Sequence, residues 1–184
     1  MRVITGKAKG RKLKTLPGND VRPTTDGVKE AIFSIVQFDL ENAVVLDLFA
    51  GSGQLGIEAI SRGAKKAIFV DNSSESIKVI RENIKAVGFE SESVVLSIPN
   101  NAFLKSNNEK IDIAILDPPY NHSLIQKSLP QLVDKMSANG IIICEHERET
   151  VLPEVCGKFE VSKIYNHGRT SLTVYRRNGG DREE

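Results

Sequence analysis

Asp117-Pro118-Pro119-Tyr120 sets an acid, two residues without backbone N–H groups and an aromatic ring in consecutive positions, directly after the apolar run Ile111 to Leu116. Paired prolines fix φ and remove two donors, so ladder pairing stops and the carbonyls here are held rigidly. An aromatic amine such as the N2 of guanine is a poor nucleophile, because its lone pair is delocalised into the ring. A carboxylate and a fixed carbonyl that accept its two N–H bonds would aim that lone pair, and a side-chain ring would stack on the base. Asp117, the Pro118 carbonyl and Tyr120 are those three parts, with Pro119 stiffening the turn. Taken by itself, Asp-Pro-Pro also reads as a stiff turn with no chemistry.

The second constellation is Asp47-Leu48-Phe49-Ala50-Gly51-Ser52-Gly53. Glycines at the exit of a strand let backbone approach a ligand, and the N-terminus of a following helix offers free N–H groups. Gly51-x-Gly53-x-x-Gly56 satisfies the dinucleotide fingerprint, with Asp71 at the position of a ribose-binding acid and Asn72 beside it; this keeps a nicotinamide enzyme open. Asp47 argues the other way. A carboxylate before the turn has no partner in a pyrophosphate but suits a ligand with an ammonium or sulfonium charge, and S-adenosylmethionine is such a ligand. Asn101, followed by Ala102, could meet an adenine at the next strand end or be a plain loop residue. His122, His146 and His167 lack metal-ligand spacing, so surface or hairpin roles and no metal are expected.

These groups need a scaffold that brings several strand ends to one edge. After Asn42 the chain alternates as βαβ units do: strands 44–49, 67–71, 94–98, 111–116 and 141–145, with helices over 53–62, 74–87 and 124–135. Near-continuous apolar strands predict a parallel sheet covered on both faces. Asn72 and Glu75 suggest a capping pair for the second of these helices, and Gly88 a stop. The spacing of Val28, Ala31, Ile32, Ile35 and Val36 predicts a preceding helix over about 25–38. Segments 2–5 and 11–16 read as a basic hairpin, and 159–165 with 171–176 as a C-terminal hairpin. The expected fold class is therefore α/β.

The net charge is +1 over 184 residues, enough chain for one sizeable core. The charge is uneven: residues 1–29 hold eight cations against Asp20 and Asp26, a net +6, which leaves −5 for the rest. A basic arm facing a polyanion is the expectation. Cys144 and Cys156 show no CxxC spacing and imply a reducing compartment, and no apolar stretch of 18 residues predicts a membrane span; a cytoplasmic protein is expected.

The glycine motif resembles that of class I S-adenosylmethionine-dependent methyltransferases, and Asp117-Pro118-Pro119-Tyr120 resembles the (D/N)PP(Y/F) motif of their amino-methylating members. From about Arg2 to Tyr175 the chain is similar to the RsmD family, which methylates a guanine N2 in bacterial small-subunit ribosomal RNA. The motifs are Ile4-Thr5-Gly6 with Gly10-Arg11-Lys12-Leu13, Arg22-Pro23-Thr24-Thr25-Asp26 with Val28-Lys29-Glu30-Ala31, Leu46 to Gly56, and Ser61-Arg62-Gly63-Ala64. The resemblance implies a Rossmann-like, mostly parallel seven-stranded sheet with a C-terminal antiparallel hairpin. It further implies an extension over 1–41, a methyltransferase domain over 42–177 and a tail over 178–184. It places the cofactor at Asp47, Phe49, Gly51, Ser52, Gly53, Asp71, Asn72, Asn101 and Ala102, and catalysis at Asp117, Pro118, Pro119 and Tyr120. Lys7, Lys9, Arg11, Lys12 and Arg22 would touch RNA; 16S ribosomal RNA or the 30S subunit is the implied partner of a monomer. Where the family usually carries Asp before Ala, this chain has Asn101, whose amide keeps an acceptor oxygen. A DNA adenine-N6 or cytosine-N4 methyltransferase and a non-catalytic RNA-binding module are the competing readings.

Overall fold

The computed structural model describes residues 1–16, 25–119 and 123–179. Tyr120 and Arg22 therefore lie outside the described residues, as do Pro23, Thr24 and the end of the tail.

Five parallel strands form one side of a single sheet, with β3 at its edge: β1 (Val44–Asp47), β2 (Lys66–Asp71), β3 (Ser93–Ser97), β4 (Ile111–Leu116) and β5 (Met136–Glu147). Antiparallel strands β6 (Val155–Cys156), β7 (Phe159–His167) and β8 (Thr170–Arg177) complete the order β3-β2-β1-β4-β5-β8-β7-β6. The helices are α1 (Asp26–Ile35), α2 (Gln54–Ser61), α3 (Ser74–Val87), α4 (Asn100–Ser106) and α5 (Leu124–Leu132), the last continued by a 3-10 turn over Val133–Lys135. The chain reverses strand order beside β1, so β1 and β4 leave a crevice at their carboxyl ends, where open α/β sheets bind ligands.

The apolar runs make the central strands because both faces are covered. Ile113, Ile115, Ile141 and Ile143 pack with Ile32, Phe33 and Leu55 on one face. Leu46, Ala114, Leu116, Ile142 and Cys144 pack with Phe103, Leu129 and Leu132 on the other.

The structure corrects several boundaries. The sheet has eight strands rather than seven, because two-residue β6 pairs with the start of β7. Strand β5 begins at Met136, five residues early; the polar Ser137-Ala138-Asn139-Gly140 stretch is absorbed as an irregularity opposite Ile111 to Ile113. Helix α4 was not foreseen, and α1 stops at Ile35. Ser73, not Asn72, caps α3, its hydroxyl accepting from Ser76 N–H. Asp71 accepts the Ser73 N–H at 2.8 Å, and this turn moves the cap along by one residue while α3 starts at Ser74 as expected. Gly88 ends α3 at φ 78, as expected. His146 is buried within β5 rather than at the surface, with Nε2 2.7 Å from the Thr173 hydroxyl.

The basic hairpin forms with less sheet than expected: its limbs are joined by Val3 N–H to the Arg11 carbonyl and Gly10 N–H to the Val3 carbonyl, both at 2.9 Å, and by Leu13 N–H to the Met1 carbonyl at 3.0 Å, around the single antiparallel bridge of Arg2 with Lys12. The donors nearer its tip go to α2 instead. Glu58 accepts from Ile4 and Thr5 N–H at 2.8 and 2.9 Å, while the Ser61 carbonyl and hydroxyl accept from Lys7 and Ala8 at 2.8 and 3.0 Å. Gly6 is required at this contact: a Cβ there would stand 1.8 Å from the Ser61 carbonyl oxygen. Lys29, counted above among the cations of a basic arm facing a polyanion, is fully buried; its Nζ donates to the Arg2 carbonyl at 2.6 Å and lies 3.9 Å from Glu58. Burial holds its ammonium below the ordinary lysine pKa, against the pull of Glu58 and Asp26.

Candidate active site

Asp47 ends β1 and is buried. Its Oδ2 accepts from Gly56 N–H at 3.0 Å, inside the first turn of α2, whereas its Oδ1 is buried without a hydrogen-bond partner. Burial raises this carboxyl from 3.8 to about 7; the Gly56 hydrogen bond opposes the shift, and the nearby charges of Asp117 and Asp71 add to it. A buried carboxylate oxygen with one vacant lone-pair direction among three acids is suited to a cationic ligand group.

The turn that follows is shaped by glycine. Gly51 and Gly53 have φ of 53 and 78, and Gly53 caps α2 with no side chain in the way. Asp71, at the end of β2, accepts from Gly51 N–H at 2.9 Å, so the two strand ends are tied across the turn. Both Asp71 oxygens hold one backbone N–H each and keep lone pairs for hydroxyl donors. Gly56 has a packing role: a Cβ there would lie 2.2 Å from Phe69 on β2, so helix and strand approach only without it. Gly56→Ala should cost about 1–3 kcal/mol by overpacking. Urea denaturation would measure it, with much of the loss recovered when Phe69→Leu is added.

Asp117 is half-buried just beyond β4, Pro118 is buried and Pro119 exposed. Register pairs Asp47 with Ile115, two residues before Asp117, so the two acids end adjacent strands at one edge. Phe49, Gly51 and Ser52, in the turn that follows β1, are half-buried. Asn72, Asn101 and Ala102 are exposed, Asn72 after β2 and the other two in the first turn of α4. Asn100, beside Asn101, is turned away toward α5, where it donates to the Ser128 hydroxyl at 2.9 Å.

Among the residues assigned to RNA, Lys7, Lys9, Arg11 and Lys12 are exposed. Their hairpin runs along α2 with its tip beside Ser61, and the glycine turn lies at the other end of that helix. Eight helical residues separate them by about 12 Å. Arg11 is partly committed, donating to the Ala86 carbonyl near the end of α3. Among the described residues no group of three His, Cys, Asp or Glu side chains could hold a metal ion, and no helix is long and apolar enough to cross a membrane.

Glu58 and Asn83 escaped the reading of the sequence, and Ser61 entered it only within a motif, with no role assigned. Each is buried and polar. The signal for Asn83 was present: it interrupts the apolar stripe Ile77, Ile80, Ile84 of α3.

The model of the family described as conserved hypothetical protein 95 matches residues 1–176. Bacillus subtilis YlbH is 37% identical over 185 residues, covering 97% of this chain and all of that protein. Ribosomal RNA small subunit methyltransferase D of Escherichia coli K12 is 30% identical over 179 residues, covering 96% of this chain and 90% of the relative. Among solved structures, an RNA methyltransferase of Salinibacter ruber in complex with S-adenosyl-L-homocysteine superposes with a TM-score of 0.67. It covers 89% of this chain and 98% of the other at 15% identity, a likeness of fold. With the doubly wound sheet, the glycine turn and the strand-end acids, the match over nearly the whole length means that the chain belongs to the conserved hypothetical protein 95 family, the RsmD family of S-adenosylmethionine-dependent methyltransferases.

Proposed function

We propose that this chain methylates the exocyclic N2 of a guanine in 16S ribosomal RNA, acting as a monomer in the cytoplasm on an assembled or assembling 30S particle. The observation that carries the reading is the pairing of two strand ends: Asp47, with its buried unpartnered oxygen, and Asp117-Pro118-Pro119 on the neighbouring strand. The name of the Escherichia coli relative supports ribosomal RNA as the acceptor.

In this reading Asp47 faces the ammonium of the cofactor, Asp71 and Asn72 its ribose, and Asn101 and Ala102 its adenine. Phe49, Gly51, Ser52 and Gly53 form the turn beneath it. When bound, S-adenosylmethionine supplies a sulfonium methyl, so that a C–S bond breaks as the N–C bond forms and sulfur takes the electron pair. Asp117 and the Pro118 carbonyl accept the two N–H bonds of N2 and orient its lone pair, and Asp117 takes the proton released once N2 becomes cationic. Pro119 fixes the turn, and Tyr120 stacks on the extruded base. No stronger base is needed, since bond formation itself acidifies the N–H.

Lys7, Lys9, Lys12 and Arg22 contact phosphates, with Arg11 contributing what its Ala86 bond leaves free. Because the hairpin tip lies at the far end of α2, its contacts reach RNA remote from the target base and add affinity that falls with salt.

Radiolabelled methyl transfer into 30S particles from cells lacking the protein, followed by nucleoside analysis, should yield N2-methylguanosine at one position. Label recovered only as another methylated base, or no incorporation into any ribosomal substrate, would overturn the proposal.

The raised carboxyl of Asp47 gives a second expectation. Below about pH 7 it holds a proton that a cationic ligand must displace, so affinity for S-adenosylhomocysteine should rise from about pH 5.5 through 7 and level off above about 8. In the ligand-free protein the sign is opposite. The folded value exceeds the unfolded one, so this group's contribution to stability is complete below about pH 4 and is lost as pH rises through 7. Calorimetry in buffers of different ionisation enthalpy should detect proton release on binding, and Asp47→Asn should abolish it.

A further inference from the structure

Asn83 lies on the inner face of α3, 1% exposed, and spends its whole amide on two segments distant in sequence. Its Oδ1 accepts from Lys14 N–H at 2.7 Å. Its Nδ2 donates to the Lys14 carbonyl at 3.0 Å and to the Ser52 carbonyl at 2.9 Å. Lys14 belongs to the outgoing limb of the N-terminal hairpin, and Ser52 lies between the two positive-φ glycines of the cofactor turn. One side chain thus clamps the hairpin to that turn.

Other contacts at the same place agree. The Ser52 hydroxyl donates to Met1 Sδ at 3.8 Å, and a Cβ at Gly51 would lie 4.0 Å from Leu16. The open end of the hairpin therefore sits on the glycine turn, while its basic tip rests about 12 Å away beside Ser61. The rest of the turn is tied by backbone, with Ala50 N–H on the Val70 carbonyl, Gly51 N–H on Asp71, Gly53 N–H on Ala50 and Ile57 N–H on the Gly53 carbonyl, while the Ser52 carbonyl between them is held by Asn83. Held by Asn83, the Ser52 carbonyl is barred from rotating toward the crevice, and the N–H groups of the turn keep one direction.

We infer that Asn83 is a positioning residue for the cofactor, and that the N-terminal hairpin, clamped through it, is a wall of the cofactor site as well as an arm for RNA. The inference concerns cofactor binding and does not depend on which nucleic acid accepts the methyl group. A side chain that served only to hold the hairpin down would stabilise the fold without touching cofactor affinity. That difference is measurable.

Asn83→Asp keeps size and the acceptor for Lys14 N–H, but turns a carboxylate toward the carbonyls of Lys14 and Ser52. It should weaken binding of S-adenosylhomocysteine, read by calorimetry on the full-length protein, by about tenfold, the equivalent of one or two hydrogen bonds. Hydrogen exchange of a peptide spanning Phe49 to Gln54 should quicken in the ligand-free variant. Lys14→Pro provides a second route, since it deletes the N–H that Asn83 accepts while leaving Asn83 and its bond to Ser52 in place. It should lower affinity in the same direction, with a double variant that is less than additive. Glu82→Ala, which removes only the ion pair to the Lys14 side chain, should bind as the parent does. Asn83→Asp or Lys14→Pro with a lowered melting temperature but unchanged affinity and unchanged exchange over Phe49 to Gln54 would overturn the inference, as would equal weakening by Glu82→Ala.

Discussion

Asp117→Ala is expected to lower methyl transfer roughly a thousandfold while S-adenosylhomocysteine binding at pH 7.5 stays within about threefold of the parent, since a positioned carboxylate contributes about 10²–10⁴ in rate. Two consequences of the proposed arrangement sharpen the test. The charge of Asp117 is one of the causes that raise Asp47, so its removal should let Asp47 ionise at lower pH and shift the midpoint of the binding profile down. Asp117→Asn retains an acceptor oxygen for one N–H of the amine and should keep more activity than the alanine variant. Single-turnover assays with 30S particles would measure the first effect and calorimetry the second. A parallel loss of binding and transfer in Asp117→Ala would move that acid from the acceptor side of the reaction to the cofactor side.

Glu58→Ala should be the most destabilising single change away from the crevice, at about 3–5 kcal/mol, because it strands the buried Lys29 cation and takes the acceptor from two backbone donors of the hairpin together. Glu58 accepts from Ile4 and Thr5 N–H, from Arg62 Nε at 2.8 Å, and stands 3.9 Å from the buried Lys29 ammonium. Domains of this size are stable by about 5–15 kcal/mol in total, so the loss is about a fifth of the whole or more. Urea denaturation would show it, and hydrogen exchange should report release of residues 2–8 before global unfolding. Glu58→Gln preserves one acceptor and much of the shape and should cost clearly less. A variant as stable as the parent would mean that water satisfies these groups and that the hairpin is held by Ser61, Asn83 and the packing of Val3, Ala8 and Leu13.

The central sheet was legible because a parallel strand covered on both faces carries its signal in composition. Ile111 to Leu116 and Ser74 to Val87 were placed to the residue. Asp47 and Asp117 were legible for a related reason: each is the first polar residue after such a run, and the sheet delivers both to one edge. What escaped was structure made by partners remote along the chain. Nothing near Glu58 or Asn83 announces a backbone 53 to 69 residues away, and a hairpin rich in lysine gave no sign that its donors would go to a helix. Charge count misled at Lys29 for the same reason, since its burial depends on the Arg2 carbonyl and Glu58 rather than on its neighbours in sequence. Helix α4 and strand β6 were missed through shortness: seven residues opening on Asn100-Asn101, and two residues, fall below any periodic signal.

The anchoring of the hairpin also bears on synthesis. Chains emerge from the ribosome N-terminal end first, and Lys14 precedes its partner Asn83 by 69 residues. Until α2 and then α3 have left the exit tunnel, the basic hairpin lacks a complete docking surface and travels as a cationic segment beside ribosomal RNA. A nascent chain stalled before Asn83 should therefore be cut by protease within residues 2–14, and one stalled well past Gly88 should resist.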